Sequence, residues 1–102
     1  MDKWLIDVSR ELAIAKKESH PARVRTASRR IAGVALKQFY KLDENDFIKI
    51  LQSAAIDLNI PDEARLAAMR LQARVDKNFK SISVDPIGDA MEIVRFVKLS
   101  NE

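Results

Sequence analysis

The stretch ESHPARVRTASRRIAGVALKQFYK, residues Glu18–Lys41, decides how the rest of the chain is read. Within it Val24, Ala27, Ile31 and Ala35 recur at intervals of three and four, the spacing that lines up one face of an α-helix. Pro21 suits the first helical turn, because the N–H it lacks would have found no partner there, and Ser19 or His20 is placed to cap it. The stripe is expected to continue to Leu42, flanked by Phe39. Four arginines, Arg23, Arg25, Arg29 and Arg30, and the chain's single histidine, His20, sit at the entrance of this helix. The stretch is therefore a charged bundle helix, a phosphate-gripping surface, or the edge of an active centre.

Working outward, the same period predicts a helix over 2–18 with Trp4, Leu5, Val8, Leu12 and Ala15 on one face. After the arginine-bearing helix, Asp43 is the expected cap of a third, with Phe47, Ile50, Leu51, Ala54 and Leu58 inward. Pro61 opens a fourth, where Asp62 and Glu63 meet the positive end of the helix dipole; its face is Ala64, Ala67, Ala68, Leu71, Val75 and Phe79. SISVDPIGDAM, residues 81–91, breaks the pattern, and Asp85 and Pro86 start a fifth helix with Ile87, Ala90, Val94 and Val97 inward. KSISV, residues 80–84, has the composition of a short strand, but nothing else in the chain offers to pair with it, so it reads as a linker.

Two glycines and three prolines in 102 residues leave little material for turns. The fold class expected is all-α, an up-and-down antiparallel bundle of four to five helices forming one domain over residues 1–102. A chain of this length removes roughly two thirds of its unfolded surface from water, enough for a core without staples. With no cysteine there are no disulfides or thiolate metal sites, and no apolar run approaches the roughly 18 residues of a membrane span. A soluble, cytoplasmic protein is expected. Eighteen basic against fifteen acidic side chains give a net charge of only +3, so any argument for nucleic acid rests on local distribution.

That distribution centres on the second helix. At 100° per residue Arg23, Arg30, Lys37 and Lys41 fall within about 40° of one another beside the apolar stripe, with Arg25 and Arg29 along its other margin. Long basic stems at such margins cover apolar edges and pair with acids of neighbouring helices. Alternatively, Arg23, Arg25, Arg29 and Arg30 grip phosphates of a nucleotide or RNA. Trp4 and Tyr40 are not interleaved with these bases as a stacking platform would require.

Catalytic chemistry finds few residues. His20 is the one imidazole, which supports neither a His-based metal cluster nor an obvious nucleophile and base pair, and it reads as a cap or loop residue. Asp43, Glu44 and Asp46 group three carboxylates, but without the glycine and terminal glutamate of a calcium loop, so a helix-start role is favoured over a metal. Gly33 and Gly88 are isolated and form no phosphate loop. No cofactor, metal or catalytic residue is expected.

WLIDVSRELAIAKKESHPARVRTASRRIAGVALKQFYKL, residues 4–42, resembles the opening helix pair of the HEPN family: a leading Trp-Leu, an alanine and leucine stripe, a short break, then a helix ending in Ala-Leu-Lys. IPDEARLAAMRLQARVDKNF, residues 60–79, is similar to the family's third long helix, and DPIGDAMEIVRFV, residues 85–97, to its closing one. The resemblance implies an up-and-down bundle that commonly dimerises and is often encoded beside a small nucleotidyltransferase; active members are ribonucleases. Their activity depends on an Arg followed after four to six residues by His. Here the positions before His20 hold Ala13, Ile14 and Ala15, and those after Arg74 hold Phe79, Lys80 and Ser81. The ribonuclease pair has no counterpart. The resulting expectation is a non-catalytic, dimeric interaction module, with a nucleotidyltransferase-like protein as its partner. Ile14, Leu36, Ile48, Ile56 and Met69, off the main stripes, are the residues that association would cover. A nucleotide- or RNA-binding protein using the basic rim is the alternative.

Overall fold

The computed structural model describes residues 2–73 and 83–100, and these form five α-helices: α1 (Lys3–Lys17), α2 (Pro21–Tyr40), α3 (Phe47–Ala55), α4 (Asp62–Gln72) and α5 (Pro86–Ser100). No strand occurs among the described residues, and the protein is an all-α bundle. The inward positions Val75 and Phe79, most of the KSISV segment, and Arg74 with the positions that follow it lie outside the described residues.

The helix starts follow from local chemistry. His20 is the N-cap of α2: its Nδ1 accepts the N–H of Ala22 at 3.2 Å while Pro21 takes the first helical position. Asp46, three residues later than expected, caps α3 by accepting the N–H of Lys49 at 3.2 Å. Asp43 stands exposed outside the helix; its neighbour Glu44 accepts the N–H of Asp46 at 3.1 Å instead, which fixes the approach to α3. Asp85 accepts the N–H of Gly88 at 3.0 Å and opens α5.

α2 is the hub. Its buried residues Ala27, Ser28, Ile31, Ala32, Gly33, Ala35 and Leu36 sweep an arc of about 240° rather than a single stripe, because α1, α3, α4 and α5 all rest on it. Leu36, expected on an outer side, is therefore core. α1 and α2 run antiparallel, since the first turn of α1 shares a cleft with the last turns of α2. α3 lies along the C-terminal half of α2, with the Phe47 ring over Gly33, where a Cβ would collide with it. α4 and α5 are antiparallel: Arg70 in the last turn of α4 meets Asp89 in the first turn of α5 through Nε at 3.2 Å and a terminal nitrogen at 2.8 Å. Those bonds hold the Arg70 guanidinium above its ordinary pKa, and the buried Ser83 hydroxyl adds a 2.6 Å bond to the same carboxylate.

Alanine recurs on the buried faces of α2 and α4 and once on α5: Ala32, Ala35, Ala67, Ala68 and Ala90 are fully buried. Small side chains let helix axes approach closely, and Ile31, Leu51, Ile93 and Val97 fill the space between them. A Cα radius of gyration of 12.6 Å is that of one packed domain of this length, for which about 13 Å is usual. Two expected inward residues are not inward. Leu42 and Leu58 lie past the ends of α2 and α3, and both are exposed.

Candidate functional site

The basic rim of α2 separates into residues with different roles. Arg29 is half-buried, and its Nε donates to the carbonyl of Leu71 at 2.6 Å while a terminal nitrogen donates to that of Ala73 at 3.2 Å. These carbonyls end α4, where backbone acceptors have no helical partner and the dipole favours a cation, so Arg29 acts as the C-terminal cap of another helix. Burial, with the charge of Arg25 behind it, pulls the Arg29 guanidinium below its ordinary pKa. Arg23 is exposed, with its guanidinium 3.9 Å from Glu18. Glu18 in turn accepts the N–H groups of Ser19 and His20, tying the α1–α2 connection together. Arg25 is half-buried and Arg30 exposed, and neither forms an ion pair among the described residues. Arg30 and Arg29 line a shallow cavity of about 260 Å³ with Asp46 and Phe47. Of the four arginines singled out, three remain at the surface of α2 and one holds the fold.

His20 and the carboxylates after α2 have structural partners. The imidazole accepts a backbone N–H, and the carboxylates of Glu44 and Asp46 accept others. Among the described residues no group of three or more His, Cys, Asp or Glu side chains could hold a metal ion.

A second site lies where the C-terminal end of α2 meets α3, and its organising contact is not readable from helical period. The Tyr40 hydroxyl donates to Asp57 at 2.6 Å. Burial first, then the bond to Asp57 and that residue's charge, push the phenol pKa well above its ordinary value. The same bond, helped by the Asn59 N–H donated at 2.9 Å, holds the Asp57 carboxyl below its ordinary value. Asp57 thereby pins the turn between α3 and α4, which presents Ile56 at 80% and Leu58 at 86% exposure on either side of it. Next to this turn Tyr40, Leu42, Ile50 and Ser53 line a largely apolar cavity of about 330 Å³, rimmed by Glu44 and Lys49. Of the residues expected to be covered by association, Ile14, Ile56 and Met69 are exposed, Ile48 is half-buried and Leu36 is core.

Leu42 also borders a third space, the cleft between the first turn of α1 and the last turns of α2, with a volume of about 440 Å³. Trp4, Lys37 and Lys41 are among the residues that line it. Lys41 has φ 55° and ψ 43°, the left-handed conformation that closes α2, with the N–H groups of Lys41 and Leu42 both returning to the Lys37 carbonyl. Glycine is the usual residue at that position, and a side chain there costs about 1 kcal/mol.

Compared with known proteins, the chain matches no family model, no curated protein and no solved structure. Among the described residues no helix is long and apolar enough to cross a membrane.

Proposed function

We propose that the protein is a non-catalytic, HEPN-like helical bundle that self-associates and serves as a protein-interaction module in the cytoplasm. The observation that carries this reading is the turn around Asp57. Ile56 and Leu58 are held in the solvent on an anchored backbone, beside an apolar cavity and the exposed Leu42. Burying a side chain of this kind is worth about 1.5–3 kcal/mol, and a fixed turn loses little entropy when it is covered. Glu44 and Lys49 on the rim lie 4.0 Å apart and offset each other, so the edge of the cavity carries no net charge to repel a second copy. A nucleotidyltransferase-like protein is the partner such a dimer would dock, on the strength of the sequence resemblance. The engagement of His20 and Asp46 as helix caps fits a role without acid–base chemistry.

Light scattering at micromolar concentration tests the reading. A dimer that Ile56→Asp with Leu58→Asp converts to a folded monomer supports it, and a native monomer overturns it.

A second reading, nucleotide or RNA binding, draws on Arg25 and Arg30, which have no ion-pair partner among the described residues, together with the exposed Arg23. Arg29 contributes little to it, being turned to α4. Binding of this class weakens steeply with salt and on Arg25→Ala with Arg30→Ala; salt-independent or absent binding dismisses it.

A further inference from the structure

Apart from Leu42, which it shares with the cavity beside Asp57, the cleft between α1 and α2 combines features that the interaction reading does not use. Its lining includes three lysines, Lys3, Lys37 and Lys41, against the single carboxylate of Asp7. Asp7 is within 3.5 Å of Lys3, and Lys37 donates to Asn45 at 3.4 Å, so the cluster is only partly neutralised. One wall is apolar, made by Trp4, Val34 and Leu42. Trp4 is only 7% exposed, and its indole N–H finds no acceptor among the described residues. The third cation, Lys41, occupies a left-handed position where glycine would be strain-free, which puts a charged side chain at the cleft at a conformational cost.

We propose that this cleft binds a small organic phosphate, the phosphoryl group held among Lys3, Lys37 and Lys41 and the organic body lying against Trp4, Val34 and Leu42. Three point charges around a pocket suit a phosphomonoester dianion, which needs charge from several directions rather than one planar fork. An apolar wall beside them selects a phosphate that carries a hydrophobic group over inorganic phosphate. The space, about 440 Å³, is of the size that small-molecule pockets occupy. The site is separate from the arginines at the other end of α2, and it shares only Leu42 with the cavity beside the turn that carries Ile56 and Leu58.

Trp4 is the only tryptophan, so its emission reports the cleft directly. The test titrates the full chain with butyl phosphate, inorganic phosphate and butanol, following Trp4 fluorescence and heat of binding. Butyl phosphate is expected to bind more tightly than inorganic phosphate, with butanol inert and the affinity falling as salt is raised. Lys37→Gln and Lys41→Gly should each weaken binding roughly tenfold. Lys41→Gly should also melt no lower than the native chain, since glycine relieves the left-handed residue, and this separates loss of binding from loss of fold. Arg10→Ala with Lys98→Ala, two exposed cations outside the cleft, should bind as the native chain does. No emission or heat change up to millimolar butyl phosphate overturns the proposal, as does native-like binding by both lysine variants or equal affinity for inorganic phosphate.

Discussion

Tyr40, in the last turn of α2, and Asp57, past the end of α3, share a hydrogen bond of 2.6 Å; burial and then this bond raise the phenol pKa, and the bond lowers that of the carboxyl, both in the sense that keeps it intact. The phenol holds its proton more strongly and the carboxyl gives its proton up more readily. Each shift ties stability to pH in its own window.

For Asp57 the folded pKa is the lower one, so the unfolded chain takes up the proton first on acidification. Its stabilisation is present above the ordinary carboxyl value of about 3.9 and is lost as pH falls through the folded value. For Tyr40 the folded pKa is the higher one, so its contribution is present below about 10 and lost as pH rises beyond that. Tyr40→Phe should flatten both limbs, read as the difference in urea midpoint between variant and native chain across pH.

Arg29→Ala leaves the Leu71 and Ala73 carbonyls without their charged donor and should cost about 1.5–3 kcal/mol by urea unfolding. Arg29→Lys should recover only part of that, because one ammonium cannot reproduce the fork.

Gly33→Ala drives a methyl group into the Phe47 ring and should cost about 1–3 kcal/mol, measured by the same unfolding. Gly33→Ala with Phe47→Leu should recover part of the loss, since the nearest atoms to the added methyl all belong to that ring.

Ser28 is fully buried in α2 with no partner for its hydroxyl among the described residues. Ser28→Ala should raise stability by about 1 kcal/mol, because it removes a polar group that burial penalises. A lower melting temperature would show that the hydroxyl has a partner.

What was legible in the sequence is what depends on neighbours within one or two turns. His20 before Pro21, the Ile31 and Ala35 stripe, and Asp85 before Pro86 carry their meaning locally, and each takes its expected place. Helix ends were harder. Asp43 and Asp46 are chemically the same cap, and only the path of the connection selects the second. A lysine gives no sign that α2 stops there, so the stripe ran on to Leu42, and Leu58 was extrapolated past α3 in the same way. Long-range partners were not legible at all. The carbonyls that claim Arg29 lie more than forty residues away, and Asp57 is seventeen from Tyr40. Leu36 seemed to sit on an outer side because periodicity assumes one buried face, whereas a hub helix has several.

The hub arrangement also sets the order in which the bundle comes apart. Among the described residues α1 rests on α2 with no comparable second neighbour, whereas α4 packs on both α3 and α5, and all three touch α2. Local opening is expected to begin with α1, and hydrogen exchange should then show amide protons of α1 less protected than those deep in α2. α1 is thus the flap of the bundle, held by Trp4, Val8 and Ala15 against one helix rather than wedged among several.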